Sequence, residues 1–350
     1  MQMVDAIPHQ QVGTFNRSQV GGFRCLCPWL MTLVMLMMSH GLLTSGAGAT
    51  DRSRPIRIGV LTSSWGPTPG TAGLRDGLLE LGYHEREDYV LGIRFTKGDN
   101  TALPGAARQL VQYGVDLIFT DNATAAKAAQ EATHQIPIVF SQVSDPVGSN
   151  LIQSFARPGG NLTSVSSLGI ELGPKRLEVF WEMLPGLKRV LFPYDAADPE
   201  YLLELNAYRD AARLLGIVLV EQPLRTEREA KITLAEIQPG AVDGILAPRC
   251  CSLNIPGFIL ESASQKRLPT MFEQAFWVER GALASYGPDY YSSGTQAARL
   301  VVKILKGTKP ADIPVEVNSK IEFAINRKVA KAIGLRIAPE VLFQADRIIR

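Results

Sequence analysis

From residue 54 onward the chain alternates short apolar runs with amphipathic segments, and this alternation limits the possible folds more than any other feature. In the first half, the runs typical of strands cover residues 56–61, 89–95, 115–120 and 136–141. The helical segments between them cover residues 71–81, 103–113 and 124–132. Strands that are apolar almost throughout are buried on both faces, as in a parallel sheet with helices on either side. The pattern therefore predicts a first α/β lobe.

The same pattern starts again after the turn Pro158-Gly159-Gly160. Further strands are predicted at residues 161–166, 189–193, 217–223, 242–247 and 268–272. Further helices are predicted at residues 171–184, 199–215, 227–237 and 258–266. We therefore predict an α/β fold with two doubly wound parallel-sheet lobes and a cleft between them. Ligands of such sheets bind beyond the carboxyl ends of the strands, so the loops that follow the strands form the candidate site.

The first fifty residues differ from the rest and are typical of a secretory signal. Two arginines precede an apolar run that begins at Trp29, and the small residues Ala47-Gly48-Ala49 follow it. The run has about 15 residues, whereas a membrane-spanning helix needs about 20. A cleavable signal peptide at residues 1–49 is therefore favoured over a permanent anchor. We predict cleavage after Ala49 and a periplasmic location.

Composition and missing motifs argue against several classes of function. The chain has 36 basic and 34 acidic residues and no basic stripe, so we expect no nucleic-acid partner. The glycine loops of nucleotide-binding proteins, the GxSxG motif of hydrolases and the spacings of zinc ligands do not occur. We therefore predict no catalytic residues, no metal site and no cofactor.

Only two cysteines follow the predicted signal, the adjacent Cys250 and Cys251. Two neighbouring cysteines provide no disulfide framework, so the hydrophobic core has to stabilise the fold. They are interpreted either as two small buried residues or as a strained ring disulfide, and the sequence leaves their redox state open.

Small polar residues follow two strands of the first lobe. Residues 121–124 come after the third strand, and residues 142–149 come after the fourth. The free amides and the positive end of a following helix can hold a carboxylate. The same residues also suit helix capping, with Asn122 as one cap and Asp145 as another, the latter before Pro146 at the first helical position. Both roles stay open for each residue.

Aromatic and acidic residues mark other strand ends. Trp65 lies in the first strand-to-helix loop, and Phe276 and Trp277 follow the last strand of the second lobe. Rings from the two lobes could clamp a flat apolar ligand, although Phe276 and Trp277 also suit packing within their own lobe. Asp195 and Glu273 end strands and could meet a ligand ammonium group.

The C-terminal third contains several distinctive motifs. They are the stretch Ala-Leu-Ala-Ser-Tyr-Gly-Pro-Asp at residues 282–289 and the stretches 306–316, 320–326 and 330–335. Matching motifs occur upstream in the same order, at residues 136–140, 145–149 and 156–163. Together they resemble the tryptophan/tyrosine-type ABC-transporter substrate-binding proteins, over essentially the whole chain beyond the signal.

The resemblance implies a periplasmic-binding-protein-like fold of class I, in which three crossovers join the lobes and a hinge closes on the ligand. Lobe one is then expected to comprise residues 50–165 plus 284–308. Lobe two is expected to comprise residues 166–283 plus 309–350.

The resemblance also implies which residues of lobe one line the cleft. They are Ser63, Ser64, Asn122, Ala123, Thr124, Ser141 and Asp145. In lobe two, Ala275-Phe276-Trp277 replaces the Arg-Glu-Phe-type stretch that the family usually has. Arg249 follows an earlier strand of that lobe, where a guanidinium could face a ligand carboxylate or another anion. Trp65, Asp195, Arg249 and Glu273 complete the predicted ligand-binding set.

We therefore predict the extracytoplasmic substrate-binding component of an ABC importer. A monomer would capture a small molecule, an amino acid or a related carboxylate, and deliver it to an inner-membrane permease after the hinge closes. Two alternatives stay open, namely an exported sensory module of the same fold that signals to a receptor and an exported α/β hydrolase. A DNA-binding repressor of this core fold is not expected, because the signal occupies the place of a helix-turn-helix.

Overall fold

The computed structural model describes residues 54–197, 200–247, 249 and 252–350. The predicted signal peptide, its cleavage after Ala49, and the pair Cys250 and Cys251 lie outside these residues. The strands are β1 (Ile56–Thr62), β2 (Tyr89–Phe95), β3 (Leu117–Thr120), β4 (Ile138–Val143), β5 (Leu162–Ser166), β6 (Arg189–Asp195), β7 (Val218–Leu224), β8 (Gly244–Leu246), β9 (Thr270–Phe272), β10 (Ala284–Pro288), β11 (Glu316–Val317), β12 (Ile321–Asn326) and β13 (Arg347–Ile349). The helices are α1 (Pro69–Glu80), α2 (Leu103–Gln112), α3 (Ala123–Ala132), α4 (Gly173–Met183), α5 (Glu200–Leu215), α6 (Glu227–Ala235), α7 (Ile255–Lys266), α8 (Ala275–Val278), α9 (Tyr290–Leu305), α10 (Arg327–Ala332) and α11 (Pro339–Gln344).

The first sheet has the strand order β11-β5-β4-β3-β1-β2, and all its pairs are parallel. Successive residues of β1 point to opposite faces and are buried on both. Val60 packs on one side in a cluster that includes Leu74 of α1 and Val301 of α9. Leu61 packs on the other side with Leu103 and with alanines of α3. The nearly continuous apolar run of β1 is thus explained by helices on both faces.

The second sheet has the order β13-β12-β10-β9-β8-β6-β7. Its pairs are parallel except that β10 and β12 run antiparallel, with Ala284 opposite Ile325. Phe192 of β6 is buried on one face and Leu191 on the other, in two separate clusters. The predicted α/β fold with two doubly wound sheets is confirmed, and the antiparallel pair is the exception to the parallel pattern.

The chain passes between the two sheets after β5, after β10 and after β11. Asn318 lies in the third of these crossings and is only 1% exposed. Its backbone N–H donates to the carbonyl of Ser166 at the end of β5, at 2.9 Å. Its Nδ2 donates to the carbonyl of Asp289, which follows β10, at 2.7 Å. One buried residue therefore joins all three crossings.

The strand pairing places two crossings differently from the predicted lobe boundaries. Residues 284–308 were expected in lobe one, but β10 pairs with β9 and β12 in the second sheet. Residues 309–350 were expected in lobe two, but β11 pairs with β5 in the first sheet. The crossings therefore follow Pro288 and Val317. Strands as short as β11 have no periodicity that shows which sheet they join.

Glycines let α1 and α9 approach each other closely beside the first sheet. A Cβ at Gly73 would lie 1.9 Å from the carbonyl oxygen of Tyr291, and one at Gly294 would lie 2.0 Å from the carbonyl oxygen of Gly70. Only glycine fits where two helix backbones are this close. The packing fixes the start of α9, where Tyr290 lies. Among the described helices, none combines the length and apolar character that crossing a membrane requires.

Candidate ligand-binding cavity

A cavity of about 470 Å³ lies where the carboxyl ends of strands from both sheets meet. The lining from the first sheet's side is Thr62 to Pro69, Asp121 to Thr124 and Gln142. The remaining lining is Arg249, Asn254, Gln274, Phe276, Trp277, Arg280 and Tyr290. Six of the predicted site residues from the first half of the chain line this one cavity, namely Ser63, Ser64, Trp65, Asn122, Ala123 and Thr124.

Asn122 both caps α3 and lines the cavity. Its Oδ1 accepts the N–H of Ala125 at 2.7 Å, and its Nδ2 donates to Ser63 Oγ at 3.2 Å. The first-turn amides of a helix have no partner within the helix, and Ala123 and Thr124 supply such amides at the cavity wall. The two predicted roles of Asn122, capping and lining the cleft, are therefore compatible. This wall can donate hydrogen bonds to an anionic or carbonyl oxygen.

Asp121 is a carboxylate in the same wall that the sequence analysis did not single out. Burial raises its pKa above the ordinary value, while hydrogen bonds from Thr62, Thr68 and Asn122 act in the opposite direction. Asn122 Nδ2 lies 3.4 Å from Asp121 Oδ1. The position directly after β3 was the available sequence signal.

Aromatic rings from both sheets line the cavity. Trp65, which is 46% exposed, belongs to the loop after β1, and Phe276 and Trp277 belong to α8 after β9. The rings of Phe276 and Trp277 meet at nearly a right angle, with centroids 5.0 Å apart. The Trp277 ring also lies beside the ring of Phe272 in the core, with centroids 5.7 Å apart and the planes tilted by 34°. Trp277 therefore packs within its own lobe and lines the cavity at once.

Two arginines contribute positive charge to the second sheet's side of the cavity. The guanidinium carbon of Arg280 lies 3.4 Å from the centroid of the Phe276 ring, a cation–π contact. The side chain of Arg249 is 9% exposed, and its Nε lies 3.8 Å from Glu204 Oε2. Arg249 was predicted from its loop, whereas Arg280 was missed. The spacing of four residues between Phe276 and Arg280 is a helical contact that could have indicated it.

Glu273 lies one layer behind the cavity in a buried charge cluster with Arg176 and Glu204. Its Oε1 accepts the hydroxyl of Tyr290 at 2.5 Å and lies 3.7 Å from Arg176 Nη2. Arg176 also donates to the carbonyl of Tyr286 at 2.6 Å and reaches Glu204 at 3.4 Å. Burial raises the pKa of Glu273 to about 7, against the lowering influence of the nearby guanidinium groups. Glu273 was predicted as a ligand-binding residue, but it does not line the cavity, whereas its hydrogen-bond partner Tyr290 does.

Three other predicted residues lie away from the cavity lining. Ser141 is fully buried within β4. Asp145 accepts the N–H of Gly148 at 2.8 Å in a turn. The helix that was predicted to begin at Pro146 is not formed, since β5 is the next regular element after β4. The left-handed backbone of Asn150, with φ of 54°, ends this turn. Asp195 accepts the N–H of Ala197 at 2.8 Å and lines a separate cavity of about 460 Å³, which Thr124 also borders.

Among the described residues, no group of three or more histidine, cysteine or acidic side chains could hold a metal ion. The cavity thus presents aromatic rings, hydrogen-bond donors, two arginines and one buried carboxylate. Such a lining can bind a flat organic molecule with a polar or anionic end.

Comparison with known proteins agrees with this geometry. The family described as ABC transporter substrate binding protein matches residues 60–349. The chain belongs to this family. The protein is 26% identical to the "Tyrosine-binding protein" of Clostridioides difficile strain R20291 over 292 residues, which are 82% of this chain and 83% of that one.

Solved structures give the same result. The ABC domain from Streptococcus pneumonia in complex with L-Trp is 27% identical, with a TM-score of 0.75, over 84% of this chain and all of that one. An ABC transporter solute binding protein from Bacillus halodurans with bound myo-inositol shares the fold alone, at 14% identity and a TM-score of 0.54, over 81% of this chain and 99% of that one. The predicted resemblance to tryptophan/tyrosine-type substrate-binding proteins of the class I fold is confirmed.

Proposed function

We propose that the protein is the extracytoplasmic substrate-binding component of an ABC importer and captures an aromatic amino acid or a related aromatic carboxylate. The observation that carries the proposal is the single cavity that receives Trp65 from the first sheet's side and Phe276 and Trp277 from the second. Rings on two sides of a ligand favour a flat aromatic group.

The polar groups of the cavity suit the carboxylate of such a ligand. The first-turn amides of Ala123 and Thr124 can donate to its oxygens, and the dipole of α3 favours negative charge there. Arg249 and Arg280 add two cations to the lining. Asp121, whose pKa burial raises, is the one described carboxylate in the lining and can accept a hydrogen bond from a ligand amine. The set is complementary to an α-amino acid or to an aromatic acid without the amine.

Calorimetric titration of the purified protein tests the ligand class. We expect L-tryptophan, L-tyrosine and indole-3-acetate to bind, because each joins an aromatic ring to a carboxylate. Tryptamine has the ring and the amine without the carboxylate, and we expect no binding. Binding of myo-inositol or of aliphatic amino acids alone would overturn the proposal. If tryptamine bound as tightly as L-tryptophan, the ligand carboxylate would make no contribution to binding, and that part of the proposal would be wrong.

A matched pair of tryptophan variants tests the aromatic wall. Trp65→Ala removes a ring from the cavity, whereas Trp181→Ala removes one of similar exposure, 42%, from the surface of α4. We expect Trp65→Ala to weaken aromatic ligands about tenfold or more and Trp181→Ala to leave affinity unchanged. Equal affinities for the two variants would show that Trp65 makes no contact with ligand.

Delivery to a permease and export are tested in the native host. Deleting the gene is expected to abolish uptake of the ligand found by titration, whereas loss of a sensory module would leave uptake intact. N-terminal sequencing of the exported protein is expected to begin at Thr50, directly after the predicted cleavage site.

A further inference from the structure

A second surface cavity, of about 610 Å³, is formed beside the second sheet by α10, the residues that follow it, and α11. All the charged side chains that line it are cationic. They are Arg327, Lys328, Lys331, Arg336 and Arg350. This basic cavity shares no lining residue with the candidate ligand-binding cavity.

The charge of the basic cavity has no counterpart within the described part of the chain. None of its five cations forms an ion pair with a described residue, whereas Arg209 pairs with Glu221 at 2.6 Å and Lys320 with Asp289 at 2.9 Å elsewhere beside the second sheet. Two acidic residues are close by in sequence: Glu340 of α11 does not line the cavity, and Asp346 accepts the N–H of Phe323. The three other cavities described for this chain each contain at least one carboxylate. Five cations around one cavity repel each other unless an anion joins them.

The floor and neighbourhood of the basic cavity are apolar. Ala330 and Ile337 are buried there, and Leu335 and Leu342 pack partly against the same core cluster. Phe343, next to Leu342 on α11, is 93% exposed, more than any other large hydrophobic residue described. Cations combined with an apolar surface and an exposed ring are typical of proteins that lie against a membrane interface.

We propose that the basic cavity binds the phosphate-bearing headgroups of anionic phospholipids and holds this side of the protein against the membrane surface. Guanidinium groups bind phosphate oxygens in pairs, and lysines add point charges. The volume exceeds that of a lone phosphate ion, and the apolar floor and Phe343 suit the glycerol and acyl parts of a lipid. The net charge of the whole chain is only +2, so attraction to anionic lipid is expected to arise from this local cluster and not from the protein as a whole.

Sedimentation of the exported protein with vesicles tests the proposal. We expect binding to phosphatidylcholine vesicles that contain phosphatidylglycerol, no binding to pure phosphatidylcholine, and weakening by added salt. Each cation near an anionic membrane strengthens binding about fivefold, so the double variant Lys331→Gln, Arg336→Gln is expected to bind about 25-fold more weakly. The double variant Arg228→Gln, Lys231→Gln on α6 removes the same charge from exposed positions outside the basic cavity and is expected to bind normally.

The outcomes are distinct. Equal weakening by the two double variants, or no binding to anionic vesicles, overturns the proposal. Binding of inorganic phosphate without vesicle binding also overturns the lipid assignment. Phe343→Ser is expected to weaken vesicle binding without changing its salt dependence. The same variants are expected to bind aromatic ligands normally in calorimetric titrations, because the two cavities share no residue. A failure of the lipid proposal can therefore be told apart from a failure of the proposed function.

Discussion

Replacing Glu273 with glutamine is expected to remove a pH dependence from the stability of this protein. The carboxyl group is 2% exposed, and charged or titratable groups face it from several elements. They are Arg176 on α4, Glu204 on α5, Arg249 after β8 and Tyr290 on α9. Close contacts also limit access of water, since a Cβ at Gly169 would lie 2.8 Å from Glu273 Oε1. Burial raises the pKa of Glu273 from an ordinary 4.5 to about 7.

The sign and size of the effect follow from linkage. Between these two pKa values the folded state keeps a proton that the unfolded state has lost, so the free energy of unfolding falls as pH rises through this window. The difference between the two pKa values corresponds to about 3 kcal/mol in total. Below the window the contribution is constant, because both states are protonated. Above the window both states are ionised, and the full cost of the buried charge remains.

Urea unfolding at a series of pH values from about 4 to about 8 measures this change. We expect the stability of wild type relative to Glu273→Gln to fall by about 3 kcal/mol across the series. Glu178→Gln removes one carboxylate of α4 whose side chain is 44% exposed, and this variant is expected to follow wild type. Parallel curves for wild type and Glu273→Gln would refute the reasoning, since the buried carboxyl would then titrate as it does in the unfolded chain.

Three further substitutions have expected outcomes. Gly73→Ala would place a Cβ 1.9 Å from the carbonyl oxygen of Tyr291 and is expected to cost about 1–3 kcal/mol in thermal unfolding, whereas Gly105→Ala in α2, with open space around it, is expected to be neutral or stabilising. Asn318→Ala removes the side-chain hydrogen bonds at the crossings, and urea unfolding is expected to show a loss of about 1–3 kcal/mol. Asn122→Ala is expected to cost about 1 kcal/mol and to weaken ligand binding in calorimetry, and Asn122→Ser is expected to restore the stability because serine also caps helices.

The regular elements were largely predictable because their residues alternate or repeat in ways that burial requires. Residues 89–95 were predicted as a strand and form β2 with the same bounds. The four-residue α8 and the five-residue β10 are too short for a period to show, and neither was predicted. The apolar runs predicted parallel sheets as a whole, but they did not show the direction of each individual strand. The antiparallel β10 and β12 were therefore not foreseen.

The residues of the candidate site were predictable where their place directly after a strand is enough to put them at the cavity. Asn122 and Trp65 were found because loops after parallel strands face a common edge. Asp195 and Glu273 gave the same signal, a carboxylate at a strand end, yet the first accepts a neighbouring backbone N–H and the second faces Arg176. That arginine lies in the first turn of α4, where the sequence is typical of a solvated helix face. Arg176 becomes a buried partner of Glu273 only because α4 packs on the second sheet, and no local sequence pattern shows that packing.

The buried charge cluster and the candidate cavity are connected through Tyr290 and Arg249. This connection predicts the direction in which ligand affinity changes with pH. Both residues line the cavity, and both act on Glu273. A ligand carboxylate beside Arg249 would add negative charge near Glu273 and favour its protonated form. Binding of an anionic ligand is then expected to take up a proton near neutral pH, and by reciprocity its affinity is expected to fall as pH rises through about 7. Calorimetry in two buffers of different ionisation enthalpy measures that uptake. Identical binding heats in both buffers for wild type would show that no proton is taken up. If Glu273→Gln gave the same difference between buffers as wild type, the proton would not bind to Glu273, and the cluster would not be coupled to the cavity.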